Sequence, residues 1–294
     1  MDVRLLLLIV ADLLFSIQFV FNKIFQKRQG TALRAGFLFS FLSASVFAVV
    51  MLFITGFKIK IEWFSLLMAF FMGCTYVLLA YLSIKALSYT SIATFSLFLM
   101  LGGMVVPFLY GILLNGDAIT WPKVVCFFII AVALFLNTDF KKEKNTIKAV
   151  ICFLAVFFIN GMDGVISTIH QQNKGGFPIV NTINFMFWCC AIQALISLIL
   201  FFISAKSKDA KIDLKDKKSL FSAAGYGLVN GCGNLLVYYS VAFIEPSLQF
   251  PIVTGGTVCL SIVMAYLIEK EKPTWKNIVS CVLTLAGTII LLFQ

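Results

Sequence analysis

The sequence predicts an all-α integral membrane protein: ten transmembrane helices arranged as two copies of a five-helix unit. Three observations carry that prediction. Of the 294 residues, 61% are hydrophobic and only 12% are charged, and the mean hydropathy is +1.01. A soluble domain needs a charged exterior that so apolar a chain cannot supply. The apolar residues also fall into continuous runs close to the roughly 20 residues a helix needs to cross a bilayer. In lipid a helix satisfies its own backbone, so runs of this length read as helices. Third, the two halves of the chain resemble each other.

Taken in order, the spans lie at about 3–25, 33–55, 62–86, 91–114, 121–138, 147–170, 178–204, 219–243, 247–268 and 274–293. The first opens at Val3 and closes in the polar FNKIFQKRQG, with no small-residue cleavage site before it, so it reads as a retained span. Most connections are short. Turn chemistry marks Asn115-Gly116-Asp117, Gly175-Gly176-Phe177-Pro178 and Glu245-Pro246, so successive spans are expected to run antiparallel. Two stretches are strongly hydrophilic, 139–148 and 204–219, and the first divides the chain near its middle into 1–139 and 140–294.

A net charge of +10 does not point to nucleic acid. Its lysines and arginines sit in short loops between apolar runs, with no base-stacking aromatics beside them, so lipid headgroups are the expected neighbours. The eight cysteines lie inside apolar runs without metal-like spacing and read as small core residues, so neither metal nor cofactor is expected. No His-Glu-x-x-His, Gly-x-Ser-x-Gly or phosphate-binding loop occurs. The chain is therefore read as neither hydrolase nor ATP-driven pump.

The polar signal is concentrated in the sixth span, 157–172, FFINGMDGVISTIHQQ. Asn160, Asp163, Ser167 and His170 fall at i, i+3, i+7 and i+10 and share one side of a helix. A carboxylate at membrane depth is costly and faces a cavity or a partner, so Asp163 is the leading functional candidate, with an interhelical structural acid as the alternative. In the eighth span Asn230, Asn234 and Tyr238 run i, i+4, i+8, either lining a cavity or joining helices. In the first span Asp12, Ser16 and Lys23 lie near one face, with Gln18 and Asn22 on an adjacent one. Lys23 is expected to snorkel. Asp12, Asp163 and the single histidine, His170, are the candidates for proton coupling. Trp188, Asn181 and Asn184 are further lining candidates, with packing as the alternative for Trp188.

The internal repeat is ungapped where the polar residues lie. Residues 15–30 align with 160–175, pairing Gln18 with Asp163, Asn22 with Ser167 and Gly30 with Gly175. Further on, Tyr81-Leu82-Ser83 pairs with Tyr238-Tyr239-Ser240, Gly102-Gly103 with Gly255-Gly256, and Asp117-x-x-Thr120-Trp121 with Glu271-x-x-Thr274-Trp275. Five spans per copy force the copies to cross the membrane in opposite senses, an inverted-topology repeat. This order of motifs resembles the drug/metabolite transporter superfamily, and within it the EamA-like ten-helix transporters. The chain departs from the pattern in lacking a tryptophan-glycine pair in its first helix and in carrying Asp117 where glutamate is usual.

The resemblance implies a central cavity built by the first four helices of each copy, with the fifth and tenth as outer braces. The residues expected to line it are Gln18, Asn22, Tyr76, Tyr81, Asn160, Asp163, Ser167, Asn230, Asn234 and Tyr238. It also implies a secondary transporter in the cell membrane, most often an exporter, that moves a small polar metabolite such as an amino acid; proton coupling is the expectation the buried acids add, and a monomer or homodimer is expected. A passive facilitator, channel or lipid flippase of the same fold is the alternative. Orientation is contested. Arg4, Lys58, Lys60, Lys123 and Lys174 are the five of 23 basic residues on the side of the termini, leaving 18 opposite. The positive-inside rule then puts both termini outside, whereas the family resemblance puts them in the cytoplasm.

Overall fold

Because every backbone amide at membrane depth must find its partner within the same segment, the apolar runs fold into a bundle of helices. The computed structural model describes residues 3–30, 32–87, 92–136, 147–204, 212–269 and 274–290. Among them ten helices follow in order: α1 (Val3–Gln29), α2 (Leu33–Ile54), α3 (Trp63–Leu87), α4 (Ile92–Leu113), α5 (Trp121–Leu136), α6 (Ile147–Gln172), α7 (Thr182–Ile203), α8 (Lys217–Val241), α9 (Pro246–Glu269) and α10 (Trp275–Ile290). Each expected span is met by one helix. Seven are long and apolar enough to cross a membrane, and three apolar stretches, Phe98–Leu113, Trp121–Leu136 and Trp275–Ile290, are shorter. The dividing stretch 137–146, which holds the 139/140 boundary, lies outside the described residues, as does Glu271.

The helix neighbours obey a two-fold rule. When α1–α5 are exchanged in order for α6–α10, the packing of α1 on α8 becomes that of α6 on α3. Likewise α1 on α9 becomes α6 on α4, and α2 on α8 becomes α7 on α3. The pairs α2 with α7, α4 with α9 and α5 with α10 map onto themselves. Five crossings separate α1 from α6, so the two helices run in opposite directions, as the odd repeat requires.

Glycines set how closely the helices approach. A Cβ on Gly102 would fall on the backbone of Phe157, and one on Gly227 on the backbone of Ser43. Gly231 faces the Phe47 ring, and Gly255 faces Thr284. Lipid offers no hydrophobic drive between helices, so such close backbone contact is a main source of cohesion. The flanks of the acid are used in the same way: Gly161 meets Val106, and Gly164 meets Pro107 and Phe250.

α5 and α10 pack mainly on each other and on α9, at the edge of the bundle. Their outer faces carry Val125, Phe128, Val132 and Phe135 on one and Ile278, Val282, Leu285 and Ile289 on the other, all exposed. Apolar stripes of three- and four-residue spacing left uncovered are lipid-facing surfaces in a membrane protein. Trp121 and Trp275, each 67% exposed, open the two helices where aromatic residues anchor to headgroups.

Candidate functional site

In the middle of the bundle the polar side chains meet across helices. The Asp163 carboxylate of α6 accepts a hydrogen bond from the Thr75 hydroxyl of α3. Beside it the phenol oxygens of Tyr76 (α3) and Tyr238 (α8) are bonded to each other, and Tyr238 also reaches Met72 Sδ at 3.6 Å. Across the bundle Asn230 Nδ2 of α8 donates to Gln18 Oε1 of α1. Asn234 Nδ2 extends that line to the Asn230 carbonyl at 3.0 Å and to its Oδ1 at 3.1 Å. The first-helix acid of one copy and the first-helix amide of the other therefore make equivalent reaches, each to the third helix of the opposite copy. The pairing of Gln18 with Asp163 in the sequence repeat appears here as geometry.

Gln18, Asn22, Thr75, Tyr76, Asn160, Asp163, Asn230 and Asn234 all keep partial exposure although the bonds that most of them make point to neighbouring helices. Buried polar groups normally saturate one another, and here the bonds join helices of the two copies. Among the described residues the Asn22 side chain makes no hydrogen bond. Asn160 Nδ2 donates to the Leu99 carbonyl at 2.7 Å and joins α6 to α4. Ser167 turns back onto the Gly164 carbonyl at 2.9 Å and is fully buried.

Three expected members stand apart. Asp12, 2% exposed, faces α9: Thr257 Oγ1 donates to its Oδ1 at 3.2 Å, and its Oδ2 occupies the space where Gly256 lacks a Cβ. Ser16 adds a bond to the Thr257 carbonyl at 3.3 Å, so this corner ties α1 to α9 and does not join Asp163. Tyr81 packs with Phe25, Phe37 and Phe201 in a separate cluster toward the 204–219 end of the bundle. His170 is fully buried, stacked on Phe185 with ring centroids 3.7 Å apart. Its Nε2 shares a 2.8 Å hydrogen bond with Ser65 Oγ, which also accepts from the Val180 amide at 2.9 Å. No bond links His170 to Asp163 among the described residues.

Trp188 and Asn184 also serve elsewhere. Trp188 Nε1 donates to the Lys60 carbonyl at 3.0 Å, and Asn184 Oδ1 accepts from the Lys60 amide at 3.0 Å, fastening the α2–α3 loop. Asn181 caps α7 through the Asn184 amide at 2.9 Å. Lys23 is half-buried and engaged with a partner.

The sequence did not single out Thr75, and it named members of a terminal-side polar cluster without pairing them. Thr75 carries a legible signal: it is the polar residue beside Tyr76 in an apolar helix, opposite the Asp163 stripe. The cluster's pairings between helices have no such signal, because those partners lie 59 to 130 residues apart. Asp117 Oδ2 accepts from the Ser247 amide at 3.1 Å and its hydroxyl at 2.7 Å, capping α9. Lys123, 1% exposed, pairs with Glu245 and donates to the Ala118 carbonyl at 2.9 Å, and Lys174 donates to the Asn115 carbonyl. Next to it lies a cleft of about 210 Å³ bordered by Phe64, Tyr110, Gln172, Lys174 and Phe177.

A described set of one acid, two phenols, a hydroxyl and three amides can hold a polar molecule by hydrogen bonds and a charge, and no group of metal-binding side chains occurs among the described residues. The family description "EamA-like transporter family" matches residues 147–293. A solved structure titled only "Crystal structure of protein" is similar over 98% of this chain and 96% of its own, with a TM-score of 0.77 and 14% identity, a likeness of fold. No curated protein matches the sequence.

Proposed function

This chain belongs to the EamA-like transporter family, and from that premise we propose that it is a secondary transporter moving a small polar metabolite by alternating access. The moving bodies are the two repeats, 1–139 and 140–294, which rock about the polar centre. The observation that supports the reading is the part-buried Asp163 carboxylate, bonded to Thr75 of the other copy and beside the phenols of Tyr76 and Tyr238. A carboxylate at membrane depth is costly and is a functional-site hypothesis by default. Asp163 is accordingly the coupling group, and Asp12 and His170, held in their own contacts, are structural.

The direction is export and the place is the cell membrane, with both termini outside, as the charge asymmetry of the loops favours. The fixed pairing of Asp163 favours a coupled carrier over a passive facilitator, which needs no acid at its centre.

The test is counterflow of a pooled metabolite mixture in proteoliposomes loaded with the same mixture. The wild-type chain is expected to exchange at least one compound faster than protein-free liposomes, and Asp163→Asn to lose most of that exchange. Exchange of nothing by the wild type would sink the reading.

A further inference from the structure

We infer that the site around Asp163 takes a small organic cation, a compound bearing a protonated amine, in preference to a zwitterionic amino acid or an anion. The inference rests on the transporter reading and narrows its substrate.

Charge balance points to a cation. The hydrogen bond to Asp163 comes from the Thr75 hydroxyl, which donates a proton share but neutralises nothing. The salt bridges among the described residues, Arg28 with Asp216 at 3.0 Å and Lys123 with Glu245, both lie at the ends of the bundle. The first described base after Gln18 on α1 is Lys23. It sits five residues beyond Gln18, about 7.5 Å along the helix axis, and is already engaged.

The groups facing Asp163 carry no formal charge to answer it. α3 and α8 contribute Tyr76 and Tyr238, and α7 contributes Cys189; all three interact electrostatically with the carboxylate and are neutral in their usual forms near pH 7. α4 and α9 bring Val106, Pro107 and Phe250 against the glycines beside the acid. A ligand carboxylate entering this space finds no fixed cation and loses its hydration uncompensated. A protonated amine finds the carboxylate and the phenol oxygens as acceptors, in a setting where a charge-assisted bond is at its strongest. The amides are committed to one another, Asn234 to Asn230 and Asn230 to Gln18, which suits a polar wall better than an anion cradle.

The experiment uses three radiolabelled probes with one phenyl body: phenethylamine as cation, phenylalanine as zwitterion and phenylacetate as anion. Equilibrium binding is measured on the full-length protein in proteoliposomes, beside the metabolite counterflow assay. Phenethylamine is expected to bind at least about tenfold more tightly than either other probe, the order expected of one charge-assisted hydrogen bond. Asp163→Asn is expected to remove that preference and Asp163→Glu to retain it. Where Asp163→Asn does not fold, the ranking of the probes on the wild type decides alone. Equal or tighter binding of phenylalanine or phenylacetate overturns the inference. So does binding of none of the three while a neutral or zwitterionic metabolite exchanges, and that outcome leaves the transporter reading standing. A wild-type chain that binds no probe and exchanges no metabolite overturns both.

Discussion

At the scale of single residues the polar stripe of α6 divides its work by angle. At 100° per residue, Asn160, Asp163, Ser167 and His170 spread over roughly 80° of the helix surface. That is wide enough to meet different neighbours: Leu99 of α4, Thr75 of α3, the helix's own Gly164 carbonyl and Ser65 of α3. The sequence makes the stripe visible and leaves the split hidden, because spacing gives a face and not what stands opposite it. The same geometry separates Asp12 from Gln18 on α1, about 120° apart, so that one faces α9 and the other α8. Thr75→Val is expected to fold and to weaken transport several-fold while leaving some, because the carboxylate stays; kinetics of counterflow check this. A double-mutant cycle of Tyr76→Phe with Tyr238→Phe is expected to give a coupling of about 0.6 kcal/mol, up to roughly 1.7 kcal/mol, the range for hydrogen bonds between membrane helices. Additive single effects on thermal stability in detergent would contradict the phenol pair.

The helices themselves were legible as far as their existence and order, since each long apolar run met one helix and the polar stretches fell between them. Their contacts were not. Asp117 and Ser247 are 130 residues apart, and turn chemistry alone marks the loop without saying that it caps another helix. Ser247→Ala together with Asp117→Ala is expected to destabilise the fold by about 1 kcal/mol, the worth of one helix cap. A thermal melt in detergent reads that change. The glycine contacts predict a steeper cost: Gly102→Ala places its new carbon on the Phe157 backbone, which has no flexible end to move aside. Overpacking of this kind costs about 1–3 kcal/mol, so the melting temperature of Gly102→Ala is expected to fall clearly below that of the wild type. An unchanged melting temperature would argue against close α4–α6 packing as a source of cohesion.

For the whole molecule, the repeat seen as scattered residue pairs returns as a two-fold rule of helix contacts, with the α5–α10 pair on its edge. Weak sequence similarity was sufficient for this because position in the order, more than identity, is what an inverted repeat preserves. Some of it failed at the residue scale: Tyr81 aligns with Tyr238, yet the two pack in different clusters, because Gly73 and Gly227 hold equivalent places against α7 and α2. That shifts the register of the third helices by three residues from the alignment. Five basic residues on the terminal side against 18 opposite support the proposal that the termini lie outside; a reporter enzyme active only outside the cytoplasm, fused after Gln294, is expected to be active, and an inactive one would reverse the orientation.

Central to the proposed function is Asp163 as the group that couples cargo to a proton gradient. Its most direct test is the steady-state accumulation ratio of the exchanged metabolite in proteoliposomes under an imposed pH step, wild type against Asp163→Asn. The account predicts accumulation above equilibrium in the wild type, collapsing when the gradient is dissipated, and no accumulation above equilibrium in Asp163→Asn. Equal ratios in the two proteins, or a wild type that only equilibrates its cargo, would contradict it.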